Sequence, residues 1–253
     1  MIDIHSHILP GIDDGAADMY DMLEMASVAL EGGVREIVAT PHCNIPGMFD
    51  NYYNREYIEL FRKTEEALNR ERLPLKLYSG MEVFVTPDIP RLLTEGKILT
   101  INGGHNLLVE FSFDEDPEYV QRMLGEIYDL GIRPVIAHAE RYEFVQDDLQ
   151  MVYHWRKKGY YVQINKGSVL GRFGRHAEYA ARHMLNHHLV SAIASDAHGP
   201  FHRTPYMRDA YEELLIEYPE TYLRLLFEEN PRRICQDRET VRLELRTFEE
   251  EEW

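Results

Sequence analysis

MIDIHSHILPGIDDG, Met1 to Gly15, is the stretch on which the fold turns. Ile2, Ile4 and Ser6 alternate with Asp3, His5 and His7, the period of two expected of a β-strand. That alternation sends His5 and His7 to one face, where two imidazoles can share a metal ion. Pro10-Gly11 breaks the strand, and the turn Asp13-Asp14-Gly15 delivers two carboxylates a few residues on. An HxH pair alone also describes an ordinary strand with two surface histidines, so the rest of the chain has to decide.

Working outward, strands and helices alternate. Ala17 to Glu31 reads as a helix with Met19, Leu23, Met25, Ala26, Val28 and Leu30 as its apolar stripe, stopped by Gly32-Gly33. Val34 to Thr40 is a strand ending at Pro41-His42, and Asn54 to Arg70 a long helix. Leu75 to Val85 reads as one strand with Glu82 near its end, Asp88 to Leu93 as a short helix, and Asn106 to Phe113 as a strand containing Glu110. Helices at Asp116 to Leu130, Asp147 to Lys158 and Ala177 to Asn186 separate strands at Arg133 to Ala139, Tyr160 to Asn165 and Leu189 to Ala194. Helices over Pro205 to Tyr218, Glu220 to Phe227 and Asn230 to Asp237 close the chain.

Seven strands alternating with helices predict a parallel sheet with helices outside. Both an open sheet and a closed barrel fit that order. The polar residues choose between them: His5, His7, Asp14, His42, Glu82, Glu110, His138, Asp196 and His198 all fall at or just beyond strand carboxyl ends. In a barrel those ends surround one mouth; in an open sheet the outer ones lie far apart. The expectation is a distorted seven-stranded (β/α) TIM-like barrel, an α/β fold. With no linker or break in composition, residues 1–253 read as a single domain.

Composition narrows the function. A net charge of −17 disfavours binding to a nucleic-acid backbone. The acidic end Glu249 to Glu252 reads as a solvated tail. Cys43 and Cys235 are the only cysteines, a count that suits a reducing cytoplasm. His5 lies too near the start for a signal peptide to precede it, and no apolar run of about 18 residues suggests a membrane span. A cysteine-dependent phosphatase loop needs an arginine six residues after its nucleophile. Phe49 holds that place after Cys43, and Glu239 and Thr240 lie near it after Cys235, so that mechanism is rejected.

Singly, each candidate ligand has a dull explanation as a turn or surface residue. Together, nine nitrogen and oxygen donors at equivalent places are too many for one tetrahedral ion. They suit two or three ions of Mn²⁺, Fe or Zn²⁺, with a carboxylate such as Glu82 bridging. Arg141, three residues after His138, and Arg203, five after His198, are placed to clamp phosphate oxygens.

The set HSH, DDG, Thr40-Pro41-His42, Gly80 to Val83 (GMEV), Val109 to Phe111 (VEF), Ala137 to Arg141 (AHAER) and Ser195 to His198 (SDAH) resembles the PHP (polymerase and histidinol phosphatase) superfamily. LPGIDDGA is similar to its manganese-dependent protein-tyrosine phosphatase branch, the CpsB-like and YwqE-like enzymes of bacterial capsule and exopolysaccharide operons. The likeness runs from residue 1 to about 205. It implies a trinuclear centre: His5, His7, Glu82 and Asp196 around one ion, Glu82, Glu110 and His138 around a second, Asp14, His42 and His198 around a third. Many PHP proteins carry histidine where Glu110 and Asp14 stand; these carboxylates favour a hard ion such as Mn²⁺. Asp14 is preferred to Asp13 as ligand.

The implied reaction is hydrolysis of phosphotyrosine on the C-terminal tail of a bacterial tyrosine kinase by metal-activated hydroxide, with Arg141 and Arg203 steadying the phosphate and Asp13 or His198 as candidate acids. Tyr52, Tyr53, Phe111 or Phe173 could line the mouth. The alternative is a small-molecule phosphomonoesterase of the histidinol-phosphatase kind. An amidohydrolase would want a lysine between its metals, for which Lys97 and Lys166 have poor surroundings. A polymerase-associated exonuclease is disfavoured by charge, and a non-catalytic barrel by the full ligand complement.

Overall fold

The computed structural model describes residues 1–248; the acidic end Glu249 to Glu252 lies outside them. Nine strands form in chain order: β1 (Ile2–Ser6), β2 (Glu36–Ala39), β3 (His42–Cys43), β4 (Lys76–Ser79), β5 (Glu82–Phe84), β6 (Asn106–Glu110), β7 (Arg133–Ile136), β8 (Tyr161–Asn165) and β9 (Ala192–Ala194). Every pairing between them is parallel, in one sheet ordered β1-β2-β4 and another ordered β3-β5-β6-β7-β8-β9. The result is a curled parallel α/β sheet with its helices packed outside.

One expected strand is broken in two, and another is followed, past its expected end, by a short strand of its own. Thr40-Pro41 separates β2 from β3, because proline has no N–H to donate. Gly80-Met81 separates β4 from β5, correcting the single strand expected over Leu75 to Val85. At that break the Tyr57 hydroxyl donates to the Gly80 carbonyl at 2.9 Å and accepts from the Gly80 N–H at 3.2 Å. A Cβ at Gly80 would come within 2.8 Å of Val38 Cγ1, so glycine lets the two chains approach.

The first strand meets the segment after the last. Asp196 N–H donates to the His5 carbonyl and His7 N–H to the Ala197 carbonyl, both at 2.9 Å. Buried Asp3 accepts from the Ser195 N–H at 3.0 Å and from its hydroxyl. The strand is not the simple alternation of the sequence. Its register against β2 slips between Asp3 and Ser6, a bulge that re-aims the chain. Ile2 and Ile4 pack inward with Val38, Leu108, Val135 and Ala192, and because of the slip His5, within it, and His7, past it, reach the same interior.

The outer layer follows from helical spacing. The first helix, Met19–Glu31, is capped by the Asp18 carboxylate and buries Met22, Met25, Ala26 and Ala29. Met19, Leu23 and Leu30, expected on its stripe, pack only at the margin. Arg55–Arg70 is capped by Asn54, and Pro117–Asp129 by Asp116 with proline in its first turn. The helix expected at Asp147 to Lys158 begins only at Gln150, as Gln150–Lys158, and a separate short helix, Glu143–Asp147, precedes it. The closing helices are shorter than expected: Arg208–Leu214, then Glu220–Arg224, a π-helical turn Leu225–Glu229, and Asn230–Cys235. Cys43 and Cys235 are free and buried. Among the described residues no helix is long and apolar enough to cross a membrane.

Candidate metal centre

The carboxyl ends of these strands aim polar side chains into one cleft of about 340 Å³, lined by Asp14, His42, Glu82, Glu110, His138, Arg141, Asp196, His198 and Arg203 with Phe84, Phe111 and Phe113. His5 and His7 lie buried behind its floor. The backbone is bent to achieve this. His138, two residues past the end of β7, has φ +32°, Asp196 +51° and Arg203 +48°. Non-glycine residues seldom adopt these left-handed values, and such strain gathers at functional sites.

Glu82 is the hub. Its Oε1 lies 3.1 Å from His5 Nε2 and 3.0 Å from His138 Nε2, and its Oε2 3.2 Å from His7 Nε2 and 3.0 Å from His42 Nδ1. Asp196 Oδ1 lies 3.4 Å from His5 Nε2 and 3.5 Å from His7 Nε2. Glu110 reaches His42 Nδ1 at 3.2 Å and His138 Nε2 at 3.6 Å. Asp14 Oδ1 is 3.5 Å from both His42 Nε2 and His198 Nε2. Ligand-type atoms thus converge in three groups, His5-His7-Asp196, His42-Glu82-Glu110 and His7-Asp14-His42-His198, all within 4.8 Å inside each group.

All nine candidate ligands come together. The partition differs from the one the resemblance implied: His138 belongs to none of the three groups, although its Nε2 lies 3.0 Å from Glu82 Oε1, Glu82 is absent from the His5 group, His42 takes the place beside Glu82 and Glu110, and His7 also serves the Asp14 group. The chemistry fits hard or borderline cations: imidazole and carboxylate donors with no thiolate. Glu82 Oε2 and His42 Nδ1 are buried without a hydrogen-bond partner among the described residues, although 3.0 Å apart. Buried polar atoms seldom go unsatisfied in this way, and their convergence suits coordination.

Electrostatics agree. Burial disfavours charge on each of these groups, and neighbours of opposite charge outweigh it at all of them except His198. His42 and His138 are each held up at about 10, against burial, by Glu82 and Glu110. Glu82 and Asp196 stay well below the usual carboxylate range despite burial, His5 being the foremost charge acting on both. Burial and the charge at His7 push His198 down to about 3.

Asp13 lies outside the lining of the cleft and faces His7. Its Oδ2 meets His7 Nδ1 at 2.7 Å and accepts from the His42 N–H at 2.9 Å, while Oδ1 accepts from the Gly15 N–H at 3.0 Å. It is a buried carboxylate orienting His7, and Asp14 is the one that faces the cleft.

Sequence reasoning missed Gln163 and Asn165. Both lie on the inward face of β8, and a polar pair at alternate positions of an otherwise apolar strand was the available signal. Gln163 Oε1 lies 3.0 Å from His5 Nδ1 and accepts from the His138 N–H at 3.0 Å; Asn165 Nδ2 donates to Asp196 Oδ2 at 2.7 Å. Such outer partners fix imidazole tautomer and carboxylate rotamer. Phe113 was missed too. The Arg141 guanidinium lies 4.5 Å from its ring centre and 4.3 Å from that of Phe173. Arg203 Nη2 contacts Asp196 Oδ2 at 2.6 Å. Tyr52 and Tyr53 are not in the lining, and Tyr52 donates instead to Asn44 Oδ1 at 3.0 Å. Lys166 is tied to Asp209 and the Tyr206 carbonyl, away from the ligand groups.

A curled parallel sheet bearing clustered histidines and carboxylates at its strand ends defines the class: an α/β protein with a candidate metal centre at the carboxyl ends of its strands. The sequence profile described as "Capsular polysaccharide synthesis, CpsB/CapC" matches residues 1–236, and the chain belongs to that family. It is 34% identical over 222 residues to the tyrosine-protein phosphatase YwqE of Bacillus subtilis, covering 86% of this chain and 85% of that one. It is 34% identical over 242 residues to the tyrosine-protein phosphatase CpsB of Streptococcus pneumoniae, covering 94% and 99%. A crystal structure from work on YwqE and CpsB, described there as unique metal-dependent tyrosine phosphatases, superposes with a TM-score of 0.90 at 32% identity, covering 98% of this chain and all of that one. A β-aspartyl dipeptidase from Fervidobacterium islandicum shares the fold at a TM-score of 0.54 and 12% identity, covering 97% of this chain and 77% of that one.

Proposed function

We propose that this chain is a metal-dependent protein-tyrosine phosphatase working through the cleft at the strand ends. One observation carries the assignment of its parts: seven of the nine candidate ligands line a single cavity with Arg141 and Arg203, and the other two, His5 and His7, meet Glu82 and Asp196 directly behind it. We read β2 with β3, and β4 with β5, as two interrupted staves of a seven-stranded barrel, and residues 1–253 as one phosphatase domain. His5, His7, Asp14, His42, Glu82, Glu110, His138, Asp196 and His198 are the ligands, and Mn²⁺ the metal, in two or three ions, with Fe or Zn²⁺ as substitutes.

Metal ions held there would supply Lewis acidity and a water acidified toward neutrality. The protein's own groups do the rest. Glu82 and Asp196 keep their negative charge at neutral pH and so remain donors. Gln163 and Asp13 hold His5 and His7 in one orientation. Arg141, fixed between two rings, and Arg203, anchored on Asp196, direct their remaining N–H groups at the phosphate oxygens and stabilise the charge that grows there. The phenolate leaving group has a solution pKa of about 10, so little acid assistance is required. His198, neutral at working pH, and Asp13, buried, do not supply it. The substrate is phosphotyrosine on the tail of a bacterial tyrosine autokinase of capsule or exopolysaccharide synthesis, and the compartment is the cytoplasm.

The test is metal content and turnover of a phosphotyrosyl peptide in parallel. His138→Ala is expected to lose both metal and activity. Arg203→Ala is expected to retain metal and lose about 100-fold or more in kcat. Normal hydrolysis by Arg203→Ala would remove the clamp from the mechanism.

A further inference from the structure

A second cavity, of about 500 Å³, opens at the other end of the strands. Its wall includes Arg133 and Tyr161, the first residues of β7 and β8, whereas the candidate metal centre sits beyond their last. Five cations line it, Arg133, Arg156, Lys157, Lys158 and Arg242, against one carboxylate, Glu239. In a chain of net charge −17 such a concentration of positive charge is not expected of a random surface.

Part of it has a local explanation. Arg156, Lys157 and Lys158 form the last turn of the helix Gln150–Lys158, where cations suit the helix dipole, and Arg156 Nη1 caps the Tyr160 carbonyl at 2.7 Å. The dipole does not explain Arg133 and Arg242, which come from other parts of the chain and share the single carboxylate Glu239 at 3.9 Å and 3.3 Å, leaving a surplus of positive charge. Nor does it explain Arg156 Nε, which is buried with no hydrogen-bond partner among the described residues. Burial pushes this guanidinium down to about 10, and the nearby Arg242 pushes the same way. Arg133 is placed by a stack of 4.9 Å on the Tyr161 ring and by donation to its hydroxyl at 3.1 Å. That hydroxyl also accepts from the Thr240 N–H at 3.0 Å, which leaves its own proton for another acceptor. Tyr128, Leu243 and Leu245 complete the wall and offer a planar or apolar group something to lie against.

We propose that this cavity is a binding site for a phosphate or diphosphate ester carrying a planar or apolar group, held by Arg133, Arg156 and Arg242 and separate from the phosphatase centre. Arginine suits this ligand because its fork pairs with two phosphate oxygens at once. The cavity is larger than one phosphate needs, and the aromatic and aliphatic wall supplies the remainder.

Calorimetry on the metal-loaded full chain, with ADP and with inorganic pyrophosphate as probes, tests this. Wild type is expected to bind ADP more tightly than pyrophosphate, and affinity to fall as salt rises. Arg156→Gln and Arg133→Gln are each expected to weaken ADP binding about tenfold or more, with kcat and KM on a phosphotyrosyl peptide unchanged. Should Arg156→Gln not fold, as read by its melting curve, exposed Arg242→Gln serves in its place. Unaltered ADP affinity in these variants, loss of binding only in Arg203→Gln, or no binding by wild type would each overturn the proposal; the middle result would return the ligand to the phosphatase centre.

Discussion

Arg141 sits between the rings of Phe113 and Phe173, and Phe113 remains 40% exposed at the cleft. A guanidinium stacked on both faces loses little freedom when it binds phosphate, and the free part of Phe113 can meet the ring of a phosphotyrosine. Removing one such contact costs about 0.5–1 kcal/mol at a partly exposed site. Phe113→Ala is therefore expected to raise KM several-fold for a phosphotyrosyl peptide and less for an aliphatic phosphomonoester, measured by steady-state kinetics. Equal effects on both would mean that Phe113 steadies Arg141 without reading the substrate ring. Gly15 is a second residue whose role is geometric. A Cβ there would lie 2.1 Å from the His7 carbonyl oxygen and 2.4 Å from its Cβ, so Gly15→Ala must push the turn and Asp13 away from His7. The expected outcome is a loss of about 1–3 kcal/mol in stability together with weaker metal retention, seen by chemical denaturation and metal analysis.

Among the elements, β8 decides how firmly the site is held. Gln163 on that strand ties β1 to β7 by contacting His5 Nδ1 and the His138 N–H, and it donates to Asn165 at 2.8 Å, which in turn donates to Asp196. Three candidate ligands, His5, His138 and Asp196, thus share one short chain of two amides. With Nδ1 of His5 held 3.0 Å from Gln163 Oε1, its Nε2 is the ring nitrogen turned toward Glu82 and Asp196 and the one placed to coordinate a cation. Losing an outer partner of this type costs about 10–100-fold in metal affinity. Gln163→Ala is expected to fall in that range by competition against a chelator, while leaving the fold intact by circular dichroism. Unchanged affinity would show that bulk packing, not the amide chain, orients His5.

For the molecule as a whole, the cluster links charge to stability. Without metal, the fold holds His42 and His138 protonated up to about 10, against an ordinary value of 6.5. A histidine raised on folding contributes stability fully present below pH 6.5 and lost as pH rises through about 10. Melting of the chelated protein is thus expected at progressively lower temperature between those limits, and Mn²⁺ addition at neutral pH to release protons, measurable in buffers of different ionisation enthalpy. A chelated protein whose melting temperature is flat over that range would contradict the assignment. The alternation of β and α segments, the strand ends that carry His42, Glu82, Glu110, His138 and Asp196, and the absence of a cysteine loop could all be read from the sequence, because periodicity and residue type are local properties. Tertiary structure alone decided the rest. The bulge in β1 depends on its register with β2. Asp13 and Asp14, adjacent and identical in kind, take opposite roles because only one lies within reach of His7 Nδ1. Gln163 and Phe113 acquire meaning from partners 25 or more residues away. Which neighbours a side chain meets is set by how strands pair and close, and no short window of sequence contains that information.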